Sequence, residues 1–471
     1  MAAAFLPADH ALAQLMGDPP DVSGEFEKIE QVYFVGASVV DFDVASGEGT
    51  LQWERYRRQP SLSFNKLDPA FVRAESDEFP GTEYDRDPAL PFDISFVSPR
   101  TVRLRFSTRE VPIDMVRPEP SVMLDGPVPS DDSWTAEESD GVVTYRSAHG
   151  SIRLIQDPWR IEFYDSDGEL LTGTQTLGDP ASFQPYVPFS FIRRASDLGR
   201  STAAAFQLRH DEKLYGGGES FTRLDKRGQK LIAYLRDGMG AQGRNQYKAV
   251  PVFLSSAGYG MFVHTSTPVT FDFGHTFDQH NVIYTGDELL DIFVFLGDPK
   301  DVLTEYTAIT GRSPVPPLWS FGLWMSRITY DSEEQVRTVA RQLREYEIPA
   351  DVLHIDTGWF SVDWQNDFEF DDERFPTPRQ MVSDLRDDGF RISLWQLTYF
   401  TRKNRLWDEI VRNGYHVKNM GGTLPYEDAI LDFSNPEAVR WYEAKIRDLL
   451  DLGVSVIKAD FGEDAPLKGL Y

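Results

Sequence analysis

Along this 471-residue chain the spacing of hydrophobic and polar positions changes once, at about residue 310. Before that point it follows the two-residue repeat of strands, in which successive side chains face opposite sides of a sheet. Thr101–Ser107 reads TVRLRFS, so Val102, Leu104 and Phe106 are predicted to face a core, with Arg103 and Arg105 facing water. Arg160–Tyr164, a turn at Asp165–Gly168 and the following Leu170 and Leu171 predict a hairpin. Further strands are expected at 142–146, 151–156, 260–265, 268–273 and 291–296. Many short strands with regular turn signals predict a β-sandwich domain over residues 1–310.

Residues 311–319 begin GRSPVPP and form a stiff, extended linker. From 320 to 471 strands and helices alternate. Strands are expected at 320–325, 351–356, 391–395 and 454–460, and helices from Asp331 as N-cap to Glu345, at 378–388, near 405–413 and at 436–452. Four β/α units in series fit a (β/α)8 barrel or an open doubly wound sheet. Four units are half a barrel, and a free-standing half would leave strand edges unpaired. The chain is therefore expected to hold the N-terminal part of a barrel whose remainder lies beyond Tyr471.

Composition narrows the function classes. A formal charge of -28 and a pI near 4.7 argue against a nucleic-acid footprint, which wants a basic surface. No stretch reaches the roughly 18 apolar residues of a membrane helix, and the N-terminus lacks a basic n-region and a long apolar h-region. A cytoplasmic protein without membrane or nucleic-acid partners is expected, with homo-oligomerisation left open. The absence of cysteine excludes disulfides, thiolate nucleophiles and Cys-ligated metals.

The candidate chemistry lies at strand ends. Asp356 and Trp359 close the second strand of the alternating region, Trp395 the third, and Lys458 and Asp460 the fourth, with Glu463 just beyond. Parallel neighbours would bring these into one mouth, where barrel enzymes carry their active residues. Carboxylates with flat rings suit a sugar-cleaving pocket, and a lysine two residues before Asp460 shares its strand face and favours its ionised form. Each residue also has a plainer use. A strand-terminal Asp caps turns, and Trp359 and Trp395 serve a core as readily as a platform. Glu463 is expected to fix its loop through hydrogen bonds, and His354 to be a satisfied structural histidine. Tyr215–Glu219 (YGGGE) lacks the Lys-Ser/Thr and the helix of a phosphate loop.

Lys458–Glu463 (KADFGE) resembles the nucleophile motif of glycoside hydrolase family 31, the retaining α-glucosidases and α-xylosidases. Similar likenesses are carried by Leu214–Phe221, Tyr247–Pro251, Gly258–His264, Trp319–Trp324, Ile355–Trp359 and Ile430–Pro436, so the resemblance spans roughly residues 30 to 471. It implies a galactose-mutarotase-like β-sandwich packed on a (β/α)8 barrel. It also implies Asp460 as nucleophile, and Asp356, Trp359, Trp395 and Lys458 as substrate-binding residues, with Glu463 in support. The acid/base is expected beyond this chain, and no metal or organic cofactor is called for. The implied substrate is an oligosaccharide or other α-glycoside ending in xylose or glucose. Family α-xylosidases carry bulky residues after the second-strand Asp, whereas this chain has Thr357 and Gly358, which leave room for a hydroxymethyl group. A non-catalytic carbohydrate-binding protein and an α-glucan lyase on the same fold are the alternatives.

Overall fold

The computed structural model describes residues 20–28, 31–63, 66–74, 87–117, 121–177, 186–194, 199–236, 245–426, 428–462, 464–466 and 469–471. Two compact units divide between Arg312 and Ser313.

The first unit consists of a fourteen-stranded sheet and a five-stranded sheet. The five-stranded sheet contains the expected strands as Val142–Ser147, Gly150–Ile155 and Arg160–Asp165, the last pairing with Leu170–Gly173 in the predicted hairpin. Their alternate residues Val143, Tyr145, Ile152, Leu154, Ile161 and Phe163 interlock with Phe34, Trp53, Phe92 and Phe106 of the larger sheet. Burying such side chains stabilises each by about 1.5–3 kcal/mol, which makes this shared core the main cohesive force of the unit.

The strand Thr101–Ser107 departs from its expected pattern, because its arginines do not face water. Arg103 is buried and forks Asp291 with two hydrogen bonds of 2.9 and 2.8 Å, and Arg105 pairs with Asp93 at 2.8 Å. Both faces of the strand are covered, and alternation in sequence records polarity rather than exposure. Asp291 also meets His264 Nδ1 at 2.7 Å, while His264 Nε2 meets Ser121 Oγ at 2.7 Å. The fork from Arg103 occupies both oxygens of Asp291, so this array reads as a structural tie between the strands Thr101–Ser107 and Leu289–Leu296.

A helix at Pro299–Thr310 was not expected from the strand-like pattern. Only Val302 and Ile309 are buried on it, too few to print a helical period. Its start is specified by Asp298, which accepts from the Lys300 and Asp301 amides, and by Pro299 in the first turn.

In the second unit β1 (Trp324–Arg327), α1 (Glu333–Glu345), β2 (Val352–Ile355), α2 (Pro378–Asp387), β3 (Arg391–Leu397), α3 (Trp407–Asn413), α4 (Pro436–Leu452) and β4 (Val456–Asp460) follow in order. The strands form a four-stranded parallel sheet in sequence order. The first strand begins later than expected, since Leu318–Phe321 forms a 3-10 turn after Pro317. The α1 N-cap is Ser332, whose hydroxyl accepts from the Gln335 amide, while Asp331 accepts from the Gln335 side chain. Leu353, Ile355, Ile392 and Leu394 join Val336, Leu343, Met381 and Leu385 of the helices in one core. Among the described residues no helix is long and apolar enough to cross a membrane, and no cluster of three or more His, Asp or Glu could hold a metal.

Candidate active site

Strand parity builds the site. With Leu353, Ile355, Ile392 and Leu394 committed to the helix side, the intervening residues must face the other way. That second face carries His354 on β2, Ser393, Trp395 and Leu397 on β3, and Val456, Lys458 and Asp460 on β4. Parallel register sets His354 beside Ser393, Trp395 beside Lys458 and Leu397 beside Asp460.

Asp460 ends β4. Trp395 Nε1 donates to its Oδ2 at 2.7 Å, Lys458 Nζ lies 3.3 Å from the same oxygen, and the Phe461 amide donates to Oδ1 at 3.0 Å. Two N–H donors and an ammonium thus converge on the two carboxylate oxygens. Its side chain is 38% exposed, so an incoming molecule can reach it.

Asp356 follows β2 and caps the single turn Thr357–Trp359. Its Oδ1 accepts from the Thr357 amide at 3.1 Å, and its Oδ2 meets His354 Nε2 at 2.9 Å and Lys458 Nζ at 3.5 Å. Burial works to raise the Asp356 pKa, but the His354 hydrogen bond, the Lys458 charge and the Thr357 amide outweigh it and hold the carboxyl below its ordinary value. Lys458 therefore bridges two carboxylates, one after β2 and one at the end of β4, across the intervening β3. Such a cluster can bind hydroxyl groups through Asp356 and Lys458 while Asp460 presents an anion to a developing positive charge.

The two candidate tryptophans serve different ends. Trp395 is buried, and its indole nitrogen reaches Asp460. Trp359 is wholly buried, donates to the Trp395 carbonyl at 2.8 Å and packs on Phe360 and Phe370. It stands behind Trp395 as a support, not as an open platform for a ring. Glu463 lies outside the described residues.

Four residues to which sequence reasoning gave no part in the chemistry join the cluster. His354 is the buried, satisfied histidine expected, with Ser393 and Asp356 as its partners, and its place two residues before Asp356 is the signal that links it to the site. Trp364 and Phe461 are half exposed and pack edgewise on Trp395 at 5.4 and 6.5 Å between ring centres. Both adopt positive φ, of 64° and 62°, a conformation that costs a bulky residue on the order of 1–3 kcal/mol and that nothing in sequence announces. Tyr399 accepts at its hydroxyl from the Gly462 amide at 2.6 Å, fixing the turn after Asp460. Beside Asp356, Gly358 abuts Thr329, and a Cβ there would lie 1.9 Å from Oγ1.

Two family models match the chain: a glycosyl hydrolases family 31 TIM-barrel domain over residues 313–469 and a glycosyl hydrolase 31 N-terminal galactose mutarotase-like domain over residues 91–272. The alpha-xylosidase XylQ of Lactiplantibacillus pentosus is 34% identical over 343 residues, covering 70% of this chain and 43% of that protein. Alpha-glucosidase 2 of Bacillus thermoamyloliquefaciens is 29% identical, covering 70% and 41%. The chain thus spans less than half the length of these curated relatives. In fold it resembles the Flavobacterium johnsoniae GH31 dextranase FjDex31A, solved with glucose, with a TM-score of 0.70, 22% identity, and coverage of 91% of this chain and 48% of that one.

Proposed function

The chain belongs to glycoside hydrolase family 31, and from that membership we propose that the whole protein is a retaining exo-α-glycosidase releasing terminal α-xylosyl or α-glucosyl residues. The observation that carries the proposal is Asp460, an accessible carboxylate at the end of β4 on which Trp395, Lys458 and the Phe461 amide converge.

In this reading Asp460 attacks the anomeric carbon as the bond to the leaving oxygen breaks, and an acid protonates that oxygen. The same group then acts as base toward water, which releases the sugar from Asp460 with net retention. The two carboxyls of such a pair stand roughly 5–5.5 Å apart. The second is assigned to no residue of this chain. Asp356 and Lys458 hold ring hydroxyls, and Trp395 orients Asp460. The substrate is an α-glycoside or oligosaccharide, in keeping with the names of the alpha-xylosidase and alpha-glucosidase relatives. Thr357 and Gly358, being small, leave both sugars to be tested.

The test is Asp460→Ala in the full-length protein, assayed on aryl α-xyloside and aryl α-glucoside. Loss of turnover on the preferred glycoside, with folding preserved, is the expected result. Undiminished hydrolysis would remove Asp460 from the mechanism. Sugar binding unaffected by Asp460→Asn, without hydrolysis by the parent, would point to a binding protein, and an anhydro sugar product to a lyase.

A further inference from the structure

Behind the two carboxylates runs a polar chain that the mechanism above leaves unused. Ser393 Oγ and His354 Nδ1 are 2.9 Å apart, and His354 Nε2 is 2.9 Å from Asp356 Oδ2. Ser393 is wholly buried, and His354 is 6% exposed. These residues come from adjacent strands in register, so the backbone ladder itself fixes their spacing.

Proton inventory sets the direction of the chain. An ionised Asp356 only accepts, so His354 carries a proton on Nε2, and in the neutral imidazole Nδ1 is then the acceptor for the Ser393 hydroxyl. Asp356 Oδ1 is engaged by the Thr357 amide. Its Oδ2 is shared between His354 and Lys458, and the lysine head group is 47% exposed on a flexible stem. Of the two partners of Oδ2, only the imidazole is rigid and enclosed. Without it the carboxylate could turn about its own bond, and Lys458 would follow.

We propose that His354, fixed from behind by Ser393, is a positioning residue that locks the Asp356 carboxylate against Lys458 and so aligns the sugar subsite with Asp460. The inference rests on the functional reading above for its consequence in turnover, though not for the hydrogen-bonded chain itself. The same arrangement uses Ser393 to select the tautomer, because a hydroxyl donating to Nδ1 excludes a proton there.

Substitutions of different reach test this in the full-length protein. A glutamine amide can place its nitrogen near the position of imidazole Nε2 and still donate to Asp356, whereas an asparagine amide ends near Nδ1 and falls short. His354→Phe and His354→Asn should lower kcat/KM by about 10- to 100-fold, the scale expected when a positioning group is lost, and His354→Gln should recover most of it at a comparable Tm. The loss should fall on KM as well as kcat, since Asp356 binds the ground state too. Equal activity of the Gln and Asn variants, or unchanged kcat/KM in the Phe variant, would overturn the proposal.

A second readout separates this from failure of the functional reading. In 15N-histidine NMR spectra the signals absent from His354→Gln should report an Nε2-protonated imidazole that responds to Ser393→Ala and to Asp356→Asn. If the parent hydrolyses neither glycoside, the functional reading falls while these spectra still decide the positioning role. A His354 signal indifferent to Asp356→Asn would sink it.

Discussion

Trp395 Nε1 donates to Asp460 Oδ2 across 2.7 Å, joining the only polar atom of a buried indole to the carboxylate that ends the neighbouring strand. The ring is buried and packed against Phe360 and Trp364, with ring centres 6.0 and 5.4 Å away, and Trp359 holds the Trp395 main-chain carbonyl at 2.8 Å. The donor is therefore preorganised toward one oxygen of Asp460. Trp395→Phe keeps most of the ring bulk and deletes the donor. A hydrogen bond to a charged group is worth about 1.5–3 kcal/mol, so kcat in the full-length protein should fall by roughly 10- to 150-fold with little change in Tm. Unchanged kcat would mean that the indole serves packing alone.

Lys458 is the one cation seen to bridge Asp356 and Asp460 among the described residues, at 3.5 and 3.3 Å. Lys458→Met leaves two carboxylates facing each other without it. Burial already acts to raise the Asp356 pKa, and the lysine is among the groups that overcome this. Removing it shifts that carboxyl upward. The acid limb of the kcat/KM profile should then move to higher pH, because protonation sets in earlier as pH falls. A limb that stays in place would show that Lys458 does not govern ionisation in the subsite.

In the sandwich unit the buried Asp291 offers a stability prediction independent of catalysis. Burial alone would raise its pKa, but hydrogen bonds from Arg103 and His264 lower it to about 2. With an unfolded value near 3.9, its contribution is fully present above about pH 4 and is lost as pH falls toward about 2. Asp291→Asn removes the carboxylate that Arg103 forks, and breaking a buried pair costs about 3–5 kcal/mol. Calorimetry at pH 7 should show a clear drop in the Tm of this unit, and the variant should lose less of its remaining stability than the parent between about pH 4 and pH 2. Parallel pH dependences would indicate that another group dominates the acid transition.

Period and strand ends carried much of this architecture in the sequence. The hairpin at Arg160–Gly173, the change of rhythm near residue 310 and the parallel strands Val352–Ile355, Arg391–Leu397 and Val456–Asp460 all follow, to within a few residues at their ends, from which positions are apolar and where polar residues interrupt them. What stayed hidden depends on groups far apart in sequence. Arg103 reads as a surface residue in the sequence because its counter-ion, Asp291, lies 188 residues away. The placement of Trp364 and Phe461 rests on positive φ angles that bulky residues rarely adopt. Trp359 illustrates a third case, since its residue type fits a platform and a support equally well, and only burial separates them.

Gly358 shows how closely the wall beside Asp356 is filled. A methyl group added there would lie 1.9 Å from Thr329 Oγ1, 2.9 Å from its Cβ and 3.2 Å from its Cγ2. Rotating the threonine does not clear the clash, because its Cβ stays within the space required. Gly358→Ala should therefore destabilise the barrel unit by about 1–3 kcal/mol, the usual cost of overpacking, and disturb Asp356, two residues before it. Adding Thr329→Ala removes two of the three close atoms and should restore part of the Tm. A double-mutant cycle reads the coupling directly. Strictly additive effects would show that residues 329 and 358 do not share this wall. A recovered Tm accompanied by altered preference between aryl α-xyloside and aryl α-glucoside would tie the same contact to the volume available beside the sugar.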